Sequence, residues 1–228
     1  EMCIRDSEHP ERVAVTIVDA DLVARFWTYG ELSRRSDQVA AWFTELGLRR
    51  GDRVIVMLGN QIELWETMLA LTKIGAVAIP TTTLLSADDL AYRVTHSGAR
   101  AMIAPAEATD RAADVDARVL RIAVGQASGW ISFADSDAAG DVFEPDGPTP
   151  AGELNLLYFT SGTTSATPKL VRHTHVSYPV GHLSTLWWLG VRPGDVHMNI
   201  SSPGWGKHAW SNFFSPFLAE ATVFVYTY

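Results

Sequence analysis

Apolar positions along the chain recur with two alternating spacings, one helical and one strand-like. Thr28-Tyr-Gly-Glu31 has the form of a capping box, in which the Thr28 hydroxyl accepts a first-turn N–H and Glu31 reaches back to the cap. Leu32, Ser36, Val39, Ala40, Phe43 and Leu46 follow at helical spacing, with Gly47 as terminator. Arg53–Leu58 is an apolar run of strand length. Asn60-Gln-Ile-Glu63 repeats the capping pattern, and Ile62, Trp65, Met68, Leu69 and Thr72 make one helical stripe ending near Gly75. Ala76–Ile79 predicts a second strand before Pro80. Ser86 opens a third helix, with Asp88 and Asp89 at the positive end of its dipole, and Gly98 closes it. Further strands are predicted at Ala101–Ala104, Val119–Val124, Leu154–Phe159, Leu170–His173 and Thr222–Tyr228. Helices and strands in alternation predict an α/β fold of mostly parallel sheets flanked by helices.

Composition narrows the class. The 228 residues include 18 Lys or Arg against 26 Asp or Glu, a formal net charge of −8, which argues against a nucleic-acid binder. With 47% hydrophobic and 19% charged residues the chain can build a core, and no apolar run reaches the roughly 18 residues that span a bilayer. One cysteine, Cys3, allows no internal disulfide and points to a reducing compartment. Residues 1–7 carry no part of the hydrophobic pattern and read as an assembly scar or disordered head, with the folded domain expected over 8–228. From Glu107 to Gly152 the chain turns rich in Ala, Asp, Gly and Pro, and a seam is expected near 140–152. The last strand ends without a cap, so the chain reads as a fragment. No internal repeat or heptad seam is present.

The chemistry concentrates after the Leu154–Phe159 strand. Thr160-Ser-Gly-Thr-Thr-Ser-Ala-Thr-Pro-Lys169 places six hydroxyls, one Gly and a Lys in ten residues. Such a segment offers backbone N–H groups, O–H donors and one cation to a polyphosphate. It is not a Walker loop, because the Gly-x4-Gly-Lys spacing is absent and a strand rather than a helix comes next. A kinase or other P-loop enzyme is excluded on the same grounds. A Ser/Thr-rich surface turn is the plain alternative that composition alone leaves open. His173 and His175 alternate along the next strand, but no third ligand accompanies them, so packing is favoured over a metal site. Trp210, Phe213, Phe214 and Phe217 fall at helical spacing and read as core, with Pro216 bending or ending that helix.

Tyr158-Phe-Thr-Ser-Gly-Thr-Thr, closed by Pro168-Lys169, resembles the phosphate-binding signature of the AMP-forming acyl-CoA synthetases. That adenylating superfamily includes luciferases and peptide-synthetase adenylation domains. The likeness runs from about Phe26 onward. Phe26-Trp-Thr-Tyr-Gly-Glu-Leu32 resembles the family's TYxEL helix start, and Leu46-Gly-Leu-Arg-Arg-Gly-Asp-Arg-Val54 its LGxxxGDRV connection. Lys73-Ile-Gly-Ala-Val-Ala-Ile-Pro80 resembles KxGAVxxP. Leu189-Gly-Val-Arg-Pro-Gly-Asp-Val196 and Pro203-Gly-Trp205 fit the stretch expected after the loop. Ser165 stands where the family usually has Gly, the stretch between Thr164 and Pro168 is one residue longer, and Leu170 replaces a common Gly. A Ser at a position needing φ > 0 would be strained.

The resemblance implies the N-terminal portion of an AMP-binding (adenylation) domain without its C-terminal lid. In that family a carboxylate attacks the α-phosphorus of ATP, giving an acyl-adenylate and pyrophosphate, and the thiol of coenzyme A then takes the acyl group. Thr160, Ser161, Gly162, Thr163, Thr164 and Lys169 are thereby expected to hold the β- and γ-phosphates. The stretch after Gly204 resembles the helix start bordering the acyl pocket, which makes Trp205, Gly206 and His208 its expected lining. ATP, Mg2+ carried by ATP, and coenzyme A are implied, with a small carboxylic acid as substrate, in the cytoplasm, in fatty-acid or aryl-acid metabolism. The adenine-binding segment, the ribose-binding Asp, the hinge and the lid with its catalytic Lys have no counterpart here. No catalytic residue is therefore expected in this chain, and the chain alone is expected to be inactive. A non-catalytic nucleotide- or partner-binding module of the same fold, or a peptide-synthetase adenylation domain, are the alternatives.

Overall fold

Two strands that the periodicity does not mark begin the fold. In the computed structural model, which describes residues 8–160 and 168–227, β1 (Val13–Val18) and β2 (Ala24–Thr28) form an antiparallel hairpin. β2 lies largely exposed at a sheet edge, so it carries no inward apolar row for a sequence pattern to show. Helix α1 (Tyr29–Glu45) comes next, capped as expected: Thr28 Oγ1 accepts from the Glu31 N–H at 3.2 Å, and Glu31 Oε2 accepts from the Thr28 N–H at 2.8 Å.

Seven strands make the larger sheet: β3 (Arg53–Val56), β4 (Val77–Pro80), β5 (Ala101–Pro105), β6 (Leu120–Val124), β7 (Ile131–Ser132), β8 (Leu154–Thr160) and β9 (Lys169–Thr174). Their order is β7-β6-β5-β3-β4-β8-β9, and all neighbours are parallel except β8 and β9. Helices α2 (Ile62–Ile74) and α3 (Ala87–Ser97) connect the early strands, each ending on a left-handed glycine, Gly75 at φ 70° and Gly98 at φ 65°. A smaller sheet of order β10-β11-β1-β2 adds β10 (Val196–Met198) and β11 (Thr222–Tyr226).

The alternation within β3 shows why its sequence is a continuous apolar run. Val54 and Val56 face a core shared with Val39, Phe43, Trp65, Leu71, Phe214 and Val223, which joins the two sheets through the helices between them. Ile55 and Met57 face the opposite core, with Leu90, Val94, Met102 and Ala104 under α3. A strand covered on both faces buries both of its residue sets.

One expected cap is different. The N-cap of α2 is Gln61, which makes no side-chain cap bond, and the Asn60 side chain is engaged elsewhere. Later in the chain, α4 (Leu183–Leu189) precedes a helical run built as α5 (Gly206–Ala209), one π turn (Trp210–Phe214) and α6 (Ser215–Leu218). Phe213, Phe214 and Phe217 are buried, as their spacing predicts. Pro216 falls in the first turn of α6, where a missing N–H is tolerated, so it does not end the run. The Asn212 carbonyl lies four residues before Pro216, which has no N–H to offer it, and accepts instead from Trp65 Nε1 at 2.9 Å.

Candidate functional site

Parallel neighbours β4 and β8 end at the same edge of the large sheet, and β9 starts there. The chain beyond β4, the end of β8, one side of α3 and the segment 204–206 enclose a cleft of about 310 Å³. A crevice at the carboxyl ends of parallel strands is where open α/β sheets usually bind ligands.

Thr160 is the last residue of β8 and lines this cleft, while Lys169 is the first of β9 and exposed. The antiparallel ladder extends one pair further than the apolar pattern suggests, so the two residues face each other directly. The hydroxyl-rich segment is thus anchored at both ends on adjacent strands. Its other expected phosphate-binding residues, Ser161, Gly162, Thr163 and Thr164, lie outside the described residues, as does Ser165.

Trp205 and Gly206 form part of the cleft wall, Trp205 with 65% of its surface exposed. His208 sits deeper, 6% exposed, beside a small void behind Trp205 that it shares with Trp65, Met68 and Phe213. Its Nε2 lies 3.0 Å from Asn60 Oδ1. Burial lowers the His208 pKa to about 4, so the ring is neutral and its Nε2–H donates to the carboxamide oxygen.

Tyr158, Tyr178 and His173 supply the aromatic side of the cleft. The His173 and Tyr178 rings meet edge to face at 4.4 Å, and His182 packs against Tyr178 at 4.6 Å. Burial drives the Tyr158 hydroxyl pKa well upward and pushes Tyr178 up to about 12. Burial also lowers His173, and lowers His182 to about 4 with a smaller contribution from His173. Every one of these groups is uncharged near neutral pH, so this side presents rings and neutral polar tips rather than ions. His173 serves the cleft wall by ring contacts, and among the described residues no group of three or more His, Cys, Asp or Glu gathers around a common point.

The residues that sequence reasoning leaves unassigned here are Thr82, Arg93, Tyr158 and Tyr178. Tyr158 lies within the quoted signature but on the strand, where it reads as core. Thr82 and Arg93 reach the cleft because β4 pairs with β8, a long-range fact with no local signal. The arrangement offers hydroxyl and cationic donors at one end and an uncharged aromatic wall at the other. That combination suits a ligand with an anionic head and an apolar body.

The family model described as AMP-binding enzyme matches residues 5–228. The chain is 37% identical over 202 residues to 4-hydroxybutyrate--CoA ligase 1 of Metallosphaera sedula, covering 86% of this chain and 34% of that protein. It is 36% identical over 208 residues to the mitochondrial acyl-coenzyme A synthetase ACSM3 of Mus musculus, covering 88% and 36% respectively. The fold superposes on the crystal structure of a Brucella canis acyl-CoA synthetase with a TM-score of 0.87 at 24% identity, over 99% of this chain and 42% of that one. The chain therefore spans about a third of the length of these curated relatives. Among the described residues no helix is long and apolar enough to cross a membrane.

Proposed function

The chain belongs to the AMP-binding enzyme family, and from that premise we propose that the cleft at the end of β8 is the phosphate and acyl side of an AMP-forming acid–thiol ligase. The observation that carries this reading is the pairing of Thr160 with Lys169 at the mouth of a cleft whose other wall is Trp205 and Gly206. In the reaction a carboxylate oxygen of the acid bonds to the α-phosphorus of ATP, and the bond from that phosphorus to the bridging oxygen breaks. Pyrophosphate leaves with the electron pair. A coenzyme A thiol then loses its proton and attacks the acyl carbon, releasing AMP.

Thr160, Ser161, Gly162, Thr163, Thr164 and Lys169 would meet the charge that collects on the departing pyrophosphate, a role for donors fixed in advance. Trp205 and Gly206 would border the acyl group, with His208 supporting that wall from behind through Asn60. Mg2+ would arrive with the nucleotide and would supply counter-charge to the phosphates that Thr160 and Lys169 meet. The neutral aromatic side favours an uncharged acyl body, in keeping with relatives named for acyl and hydroxyacyl CoA ligation. A single cysteine suits a reducing compartment such as the cytoplasm.

Because the chain spans about a third of those relatives, the residues here supply one side of the site and not a full catalytic set. Calorimetric titration of the chain with ATP, alongside a pyrophosphate-release assay over a panel of carboxylic acids, tests both parts. Binding that weakens in Lys169→Gln, without turnover, is expected. Absence of ATP binding at millimolar concentration would remove the reading, and sustained pyrophosphate release would overturn the expected inactivity.

A further inference from the structure

We propose that Arg93 is a phosphate-contacting residue of this cleft, a second cation beside the end of β8. The proposal rests on reading the cleft as a triphosphate site. Arg93 leaves α3 one residue before the buried Val94 and lies half-buried, with its Cζ 4.9 Å from the centroid of the Phe159 ring. Phe159 directly precedes Thr160, so the guanidinium stands beside the point where the segment departs. Arg93, Thr82 and Thr160 all contribute to the cleft wall.

Among the described residues the Arg93 guanidinium has no carboxylate within ion-pair distance, and it is a cation that lines the cleft. Its side chain makes no hydrogen bond and no ion pair among those residues, and it rests against the Phe159 ring. Asp89, one helical turn earlier, is the nearest acid acting on it, and the Asp89 carboxylate already accepts from the Ser86 hydroxyl at 2.8 Å. Arg35, Arg50 and Arg12, also part-buried, are each answered by a carboxylate: Arg35 by Glu66 and Asp137, Arg50 by Asp146 and Glu153, Arg12 by Glu220. Burial lowers the Arg93 pKa, and the opposing attraction of Asp89 offsets this only in part. A guanidinium on an aromatic face keeps its plane and its N–H fork free for an anion, and two parallel N–H bonds to a phosphate are its strongest use.

The surroundings point to the same sign of ligand. The chain as a whole carries a net charge of −8, yet no Asp or Glu lines the cleft among the described residues. A crevice whose lining holds a guanidinium and no carboxylate favours an anionic ligand over a cationic one. The ligand chemistry is a phosphate oxyanion.

Inorganic tripolyphosphate is the probe, titrated calorimetrically into the chain and into Arg93→Gln, Arg93→Lys and Lys169→Gln, with the unfolding midpoint of each recorded without ligand. Loss of a charge-assisted bond is expected to weaken binding about tenfold or more in Arg93→Gln, with Arg93→Lys in between. Unchanged affinity in Arg93→Gln together with a loss in Lys169→Gln would overturn this proposal and leave the triphosphate reading intact. Affinity that merely tracks a lowered unfolding midpoint in both Arg93 variants would make the residue a strut between α3 and β8, and would also overturn it. No binding by the unaltered chain would remove the triphosphate reading and this proposal with it.

Discussion

Asn60 and His208, 148 residues apart in sequence, are joined by a 3.0 Å hydrogen bond beneath the wall of the cleft. The bond ties the start of α2 to α5, so the position of Trp205 and Gly206 depends on a carboxamide far from them in the chain. Asn60→Ala leaves the buried N–H of a neutral imidazole without an acceptor, which is expected to cost about 1–3 kcal/mol. Urea unfolding of Asn60→Ala, His208→Ala and the double variant gives the coupling directly. Strictly additive losses would show that the bond contributes nothing of its own.

Two buried groups give the stability curve opposite slopes. His208 has its pKa lowered by burial to about 4 from an ordinary 6.5, so the fold favours the neutral ring. Its contribution is complete above the unfolded value and is lost as pH falls from 6.5 towards 4. Glu66, 6% exposed, has its pKa raised by burial to about 7 from 4.5, burial outweighing the attraction of Arg35, whose Nε lies 3.3 Å away. The fold favours the protonated acid, so this contribution is complete below 4.5 and is lost as pH rises to 7. Glu66→Gln, which keeps the shape without the titration, is expected to remove the decline between pH 5 and 7 and to leave the acid-side loss in place. Urea midpoints from pH 4.5 to 8 decide it, and a Glu66→Gln curve that still declines from pH 5 to 7 would refute the assignment to Glu66.

How far such features can be read without coordinates depends on the range of the interaction. The Thr28–Glu31 box and the glycines at 75 and 98 are settled within one turn of chain, and each is legible. Asn60 carries the same local signature as a cap, but its amide is taken by His208, and nothing near residue 60 announces that. The π turn carries the Asn212 carbonyl that accepts from Trp65, 147 residues away in sequence, so helical spacing alone shows the buried face and misses the bulge. In the candidate site, Thr160 and Lys169 stand out by composition. Thr82 and Arg93 join them only because β4 lies beside β8, and strand order is a product of the whole core.

Gly204 is a close approach rather than a turn. A Cβ at this position would stand 2.3 Å from the Thr82 nitrogen and 2.7 Å from the Thr81 carbonyl carbon, both backbone atoms that cannot rotate away. Gly204→Ala is therefore expected to push the 203–206 segment off the end of β4 and to lower stability by about 1–3 kcal/mol, the usual range for overpacking. Gly152→Ala is the control, since its Cβ would meet nothing within 4 Å. Equal unfolding midpoints for the two variants would contradict the packing described.

Trp65 tests the link between the core and the cleft wall. Its indole is fully buried, and its Nε1–H donates to the Asn212 carbonyl in the π turn at 2.9 Å. Trp65→Phe keeps most of the apolar body but removes the donor, leaving a buried carbonyl unanswered and a gap where the second ring stood. Both effects act at one place, and together they are expected to cost about 2–4 kcal/mol. Trp187→Phe, at 86% exposure, is expected to change stability by less than about 0.5 kcal/mol. This bond and Asn60–His208 both tie the run from Gly206 to Leu218 to the α2 region, so hydrogen exchange at the amides of residues 208–214 should quicken in Trp65→Phe well before global unfolding. Protection at those amides that falls only with the global midpoint would show that the π turn is held by its apolar contacts alone.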